Sequence, residues 1–225
     1  VGSINEPYLG KTLNELEAVT IKEKTIQITL PYPAKGNEPA LTQTIQQALM
    51  NKEPLNISYS YQIKPSQRIS KEQPGLVNVK NIIAVSSAKG GVGKSTVTAN
   101  LALALKAEGA KVGVLDADLY GPSQAKMFGI DNERPEINGD KIKPIQAHGI
   151  QIATIANHIT REDTPLIWRG AQLDSALKTL LFSTEWPELD YLVIDMPPGT
   201  GDVQLTIAQQ IPVSGAVVVS TPQEI

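Results

Sequence analysis

Between residues 89 and 96 the chain reads Lys-Gly-Gly-Val-Gly-Lys-Ser-Thr. These types at this spacing suit the capture of phosphate. Gly90, Gly91 and Gly93 carry no side chain, so backbone N–H groups around Val92 can converge on anionic oxygens. The helix expected to follow points its partially positive N-terminus at the same place. Lys94 then reaches the β- and γ-phosphates of a nucleoside triphosphate, the Ser95 hydroxyl binds Mg²⁺, and Thr96 stands at the α-phosphate. The general pattern G-x-x-x-x-G-K-[ST] asks for glycine at position 88, where this chain has Ala88. Alanine is harmless there provided its backbone keeps a negative φ.

Two acidic segments complete the chemistry. Asp116 and Asp118 follow the apolar run Val112–Leu115, and Asp195 ends the apolar run Leu192-Val-Ile. Ligands of open α/β sheets bind beyond the carboxyl ends of the strands, which is where these carboxylates fall. Asp195 has the character of a Walker B residue that holds the Mg²⁺ shell through water. Asp116 and Asp118 are also readable as a turn or helix-capping pair. After Asp195 comes Met-Pro-Pro-Gly-Thr-Gly-Asp202, a loop in which the Gly199 N–H is free to sense a γ-phosphate. Asp202 either caps the next helix or joins that switching. Phosphoryl transfer asks little of a protein beyond such positioning and charge balance.

The elements that must position these groups are short apolar strands alternating with helices. Ile82–Val85, Val112–Leu115, Tyr191–Ile194 and Gly215–Val219 read as buried strands, and Ser95–Ala107 as a helix closed by Gly109. The alternation predicts an α/β fold with a doubly wound, mostly parallel sheet over residues 80–225. Residues 1–68 read as a small α+β domain. In it Leu13–Glu17 forms a short helix, Val19–Leu30 two half-buried strands around a turn at Glu23-Lys24, Pro39–Met50 an amphipathic helix, and Leu55–Ile63 a closing strand. Residues 69–79, within a stretch rich in proline and polar residues, read as a linker.

Composition narrows the partners. The 225 residues carry a net charge of −3, with 41% hydrophobic and 19% charged residues, ordinary for a globular protein. This balance argues against a nucleic-acid partner. No apolar run is long enough to span a bilayer, so no membrane partner is expected. No secretory signal pattern opens the chain, and cytoplasmic residence is the expectation. Without a single cysteine, neither a disulfide nor a thiolate metal site can come from these residues. His148 and His158 lack carboxylates at ligand spacing and read as structural or surface residues.

The second lysine, Lys89, resembles the deviant Walker A signature of the MinD/ParA/nitrogenase-iron-protein class. That resemblance implies a homodimer closed around two ATP molecules, with Lys89 reaching the partner's nucleotide. It further implies that Asp118 positions the attacking water and that Asp116 lies near Mg²⁺. Lys89–Thr96, Asp116-Ala-Asp-Leu-Tyr-Gly-Pro-Ser123, Trp168-Arg-Gly170 and Asp195–Asp202 together resemble the Mrp/ApbC family of iron–sulfur cluster carrier ATPases. The N-terminal unit is similar to the small iron–sulfur-assembly domain often placed ahead of that ATPase, with Asn5-Glu-Pro7 near its usual Asp-Pro. The family implies a P-loop NTPase that hydrolyses ATP with Mg²⁺. Lys89, Lys94 and Asp118 would be catalytic, and Ser95, Asp116 and Asp195 would stand at the metal. It also implies iron–sulfur apoprotein clients or an assembly scaffold as partners. The family holds its cluster on a Cys-x-x-Cys pair downstream of the Walker B strand. No such pair occurs before Ile225, so the chain reads as C-terminally truncated, without the last strand–helix units that help hold adenine. The other reading is a MinD/ParA-like positioning or partitioning ATPase. Trp168-Arg169-Gly170 fits a dimer or client surface and a core tryptophan with a paired arginine equally well.

Overall fold

The computed structural model describes residues 1–49, 56–66, 74–119, 121–157, 170–199, 204, 207, 209 and 211–222, excluding the side chains of 170–174 and 176. The chain divides into two compact units, Val1–Lys64 with Ala107–Ala110, and Pro65–Lys106 with Lys111–Ile225.

In the first unit, β1 (Val19–Lys22) and β2 (Thr25–Leu30) form an antiparallel hairpin. Its turn is Glu23-Lys24, as expected, with Glu23 at φ 50°. Helix α1 (Glu38–Ala48) then leads to β3 (Asn56–Tyr61), which pairs parallel to β2. The alternation of β2 puts Ile26, Ile28 and Leu30 on one face, where they pack with Leu41 and Ile45 from one face of α1 and with Leu13. Two expectations need correcting. Leu13–Glu17 is a turn: Thr12 and Glu15 cap one another, and Glu17 sits at φ 50°. One turn of helical spacing without a following apolar repeat does not extend. Strand β1 is largely exposed, Ile21 at 60%, because it lies at the edge of its sheet.

The second unit is built on β4 (Val79–Ser86), α2 (Lys94–Ala107), β5 (Val112–Asp116) and the short α3 (Gln124–Met127). A small hairpin, β6 (Ile137–Asn138) and β7 (Lys141–Ile142), precedes β8 (Ile145–Ala147) and β9 (Ile150–Thr154). Helix α4 (Gly170–Ser183), β10 (Leu189–Asp195) and β11 (Gly215–Val218) follow. Among the described residues the sheet has six strands in the order β11-β4-β10-β5-β9-β8, parallel except for β8. This is the doubly wound α/β arrangement expected. Leu115, Leu192 and Ile194 of the sheet bury against Leu177, Leu180 and Leu181 of α4.

The boundaries of the linker differ from the sequence reading. Pro74–Leu76 forms a 3-10 turn, and Leu76 is fully buried in the core of the second unit. A side chain at Gly75 would strike the backbone of Leu181 and Phe182 at 2.6–2.7 Å. The end of the 69–79 segment therefore belongs to the second unit, and β4 starts at Val79 instead of residue 82. The proline and glycine there mark a tight packing contact as well as a break in regular structure.

Strand register brings the acidic tips together. Asp195 at the tip of β10 pairs with Val85 on one side and Asp116 on the other, and Asp116 pairs with Thr154. The strand tips are level, so the residues just beyond them share one ledge.

Candidate active site

The loop from Ser87 to Gly93 joins β4 to α2. Gly91 and Gly93 have φ of 76° and 90°, a region that costs other residues roughly 1–2 kcal/mol. Their glycines are demanded by backbone conformation. Gly90 does not have positive φ; its use is the space it leaves. A Cβ built on Gly90, Gly91 or Gly93 meets nothing within 4 Å. Ala88 is absent from the residues of positive φ, which is the condition under which alanine suits that position. Ser87 Oγ donates to the Lys89 carbonyl at 2.8 Å, and the Val97 N–H closes α2 onto the Gly93 carbonyl at 2.9 Å.

This loop borders a cavity of about 350 Å³ whose walls include Gly90, Gly91, Gly93, Lys94, Ser95, Thr96, Asp118, Ser123 and Pro198. Lys89 is exposed at the start of the loop and Val92 is half-buried; neither lines the cavity.

Lys94 organises the interior. It is only 6% exposed, and its Nζ lies 2.6 Å from Asp195 Oδ1, 3.5 Å from Asp118 Oδ2 and 3.4 Å from Ser95 Oγ. Thr98, one turn further along α2, donates to the same Asp195 Oδ1 at 3.1 Å. Gln124 Nε2 donates to Asp195 Oδ2 at 2.8 Å and to the Ser95 carbonyl at 3.1 Å. Burial of a charge is tolerable only with such pairing. Sequence positions 94, 118 and 195 thus meet within ion-pair distance, as the motif reading required.

Asp116 does not behave as expected. Its carboxylate is fully buried and accepts hydrogen bonds from the backbone N–H groups of Asp118 (3.3 Å), Ser123 (3.0 Å) and Gln124 (3.0 Å), and from Thr154 Oγ1 (3.2 Å). Burial pushes its carboxyl up to about 7. The Gln124 N–H works against that shift, and the neighbouring Asp195 charge adds to it. Asp116 anchors the 117–124 loop through these bonds and, like Asp195 beside it, lies behind the residues that wall the cavity. Asp118, by contrast, faces the cavity and accepts the Gly121 N–H at 3.3 Å.

Gly199 also departs from expectation. It has φ 97°, but its N–H donates to the Ser87 carbonyl at 2.9 Å. That bond ties the Asp195 loop to the phosphate loop and engages the donor assigned to γ-phosphate sensing. The Ala117 N–H on the Asp195 carbonyl, 2.9 Å, ties in the third loop. Trp168, Arg169, Asp202 and His158 lie outside the described residues. His148 sits at φ 51° with Nε2 3.3 Å from the Phe128 carbonyl, a structural placement.

The residues present fit a Mg²⁺-nucleotide. Among the described residues no three His, Cys, Asp or Glu side chains converge to cage a metal. Mg²⁺ does not need a cage, because it keeps several waters and takes one or two protein oxygens beside substrate phosphates. Ser95 Oγ is at the cavity wall, Asp195 Oδ1 lies behind it against Lys94, and the glycine cradle leaves the space for phosphate. Sequence reading misses Thr98, Ser123 and Gln124. Thr98 is recoverable from its spacing of four from Lys94. Gln124 follows a Gly-Pro-Ser turn and carries no chemical signature of its own.

Comparison with known proteins gives a consistent set of relatives. The family model described as ParA, NUBPL iron-transfer P-loop NTPase, matches residues 78–225. An iron-sulfur cluster carrier protein of Pseudomonas fragi is 60% identical over 154 residues, 68% of this chain and 53% of that protein. One of Haemophilus influenzae is 51% identical, covering 100% of this chain and 63% of its own length. Among solved structures, a nucleotide-binding protein in complex with ADP from Archaeoglobus fulgidus is similar with a TM-score of 0.59 and 40% identity, covering 70% of this chain and 62% of that one. The chain spans 53% and 63% of the two carriers.

Proposed function

The chain belongs to the Mrp/ApbC family of iron-transfer P-loop NTPases, and on that premise we propose that it carries the Mg²⁺-dependent ATPase of an iron–sulfur cluster carrier. The observation that carries the reading is Lys94, held between Asp195 and Asp118 at the wall of a glycine-lined cavity.

The chemistry follows from what each group does when a triphosphate enters. Amides of the 90–95 segment and the start of α2 bind its oxygens. The Lys94 ammonium exchanges its carboxylate partners for the β- and γ-phosphate oxygens. That exchange releases Asp118 Oδ2, which accepts a hydrogen bond from the attacking water and orients it on the γ-phosphorus. The water oxygen bonds to that phosphorus as its bond to the β–γ bridging oxygen breaks; ADP departs with the electron pair, and the water's proton passes to an oxygen of the phosphate released. Ser95 Oγ and Asp195 Oδ1, the latter also released, would hold Mg²⁺. Mg²⁺ bound there supplies neutralising charge to the β- and γ-oxygens. Lys89, exposed at the loop's start, belongs in this reading to the second subunit's nucleotide across a homodimer.

The cargo is an iron–sulfur cluster delivered to apoproteins or received from a scaffold, in the cytoplasm. No thiolate ligand for it comes from these 225 residues, which contain no cysteine. The reading is tested by steady-state ATP hydrolysis of the chain with Mg²⁺, beside Lys94→Ala. Hydrolysis that survives this substitution at the original rate would sink it. Cargo is tested by anaerobic reconstitution of the longer protein, scoring iron and sulfide retained and their transfer to an apoprotein.

A further inference from the structure

We propose that Gln124 is a positioning residue for Asp195: its side-chain amide fixes which carboxylate oxygen faces Lys94 and the Mg²⁺ position. The proposal deepens the ATPase reading and rests on it.

Asp195 has its two oxygens held by different groups. Lys94 and Thr98 take Oδ1, and Gln124 Nε2 takes Oδ2. Once Lys94 turns to phosphate, Oδ1 keeps, among the described residues, only the Thr98 hydroxyl, which is also 3.1 Å from the Lys94 carbonyl. The torsion that rotates a carboxylate is broad and roughly two-fold, so a single neutral hydroxyl fixes it weakly. The Gln124 bond on the other oxygen then prevents the rotation and leaves Oδ1 directed at the vacated ammonium position.

Gln124 is itself held so that only one orientation works. Its backbone N–H is bonded to Asp116 Oδ2, and its Nε2 is shared between Asp195 Oδ2 and the Ser95 carbonyl. Flipping the amide would set its oxygen against two acceptors. In the orientation adopted, Gln124 Oε1 is buried and finds no hydrogen-bond donor among the described residues. A buried polar atom without a partner is unfavourable, and an apolar side chain of similar shape would avoid it. Glutamine therefore carries a cost at Oε1, and what it provides in return is the pair of bonds from Nε2 to Asp195 and Ser95. The same residue links three segments: the loop anchored on Asp116, the tip of β10 and the first turn of α2.

The test is Gln124→Met in the full chain, read by titrating Mg²⁺ against binding of a fluorescent ADP. The expected result is a rise of about tenfold or more in the Mg²⁺ concentration for half-maximal effect, the range seen when groups that orient metal ligands are removed. Metal-free ADP affinity should stay near the unsubstituted value while the melting temperature falls with the lost Asp195 and Ser95 bonds, and kcat for ATP should be lowered more than KM is raised. Gln124→Asn, shorter by one methylene, should repeat the shift, and serves alone if the methionine variant does not fold. Added to Asp195→Asn, Gln124→Met should produce no further shift. An unchanged Mg²⁺ midpoint in a folded variant overturns the proposal. So does a fall in metal-free ADP affinity that tracks the melting temperature, which would mark Gln124 as merely structural. If the unsubstituted chain binds no nucleotide in the presence of Mg²⁺, the ATPase reading fails first and this inference falls with it.

Discussion

Two loops leave the same ledge of the sheet and treat their backbone donors in opposite ways. After β4, positive φ at Gly91 and Gly93 opens a cradle toward empty space. After β5, the N–H groups of Asp118, Ser123 and Gln124 turn inward onto the Asp116 carboxylate. The first loop is shaped for an anion that arrives. The second carries its own acceptor, and the hydrogen bonds of that loop close without a ligand. The contrast explains why Asp116 and Asp118, two positions apart, have different work. One is consumed in holding the loop, and the other is held out to the cavity by it.

Substitutions sharpen this contrast in order of expected size. Lys94→Ala removes the cation that serves the first loop, and ATP hydrolysis should fall on the order of 10³-fold, as with loss of a central transition-state donor. Wild-type turnover would break the distinction at once. Asp116→Ala removes the internal acceptor and leaves several buried donors without a partner. Unfolding in urea should show a loss of about 3 kcal/mol, with nucleotide affinity falling only as folded protein is lost. Gly93→Ala forces a side chain into positive φ and should weaken nucleotide binding by roughly tenfold, the equivalent of 1–2 kcal/mol of strain. Ala88→Gly, at a position without that requirement, should move binding by less than about twofold. A separate effect, on stability and not on nucleotide binding, is that of pH. The Asp116 carboxyl is raised to about 7 in the folded chain, so the folded state holds its proton longer than the unfolded state. Its contribution to stability is full below the ordinary carboxylate range and is lost as pH rises through about 7. Asp116→Asn should flatten that part of the stability–pH curve, measured by thermal unfolding between pH 4 and 8 as a rough window around the shift. A slope unchanged from the parent would assign the pH dependence elsewhere.

What the sequence discloses and what it hides follow the same division. Glycines at positive φ, a lysine at a helix start and an aspartate at the end of an apolar run are legible because their types are chemically unusual where they stand. The parallel strands β4, β5, β10 and β11 are legible as apolar runs. The short strands β8 and β9, with alternating and partly polar sequence, are not. Nor is α4, which begins at Gly170, the last residue of a Trp-Arg-Gly motif that reads as a surface or a core contact before it reads as a helix start. Asp116 is ambiguous because an aspartate two positions before another looks the same in sequence whether it faces a metal or three amides. Gln124 is invisible because a glutamine acquires meaning only from the acceptors that surround it, here Asp195 and Ser95.

The pairing of Asp195 with both Val85 and Asp116 has a further consequence. Because side chains alternate along a strand, the chemistry depends on chain length as much as on residue identity. A one-residue deletion in β10 before Asp195, say between Leu189 and Leu192, would leave every motif residue intact. It would nonetheless present the aspartate to the opposite side of the sheet, away from Lys94. The family's signature is thus a matter of counting along strands, and a variant can lose the site's geometry while keeping every residue by which the family is recognised.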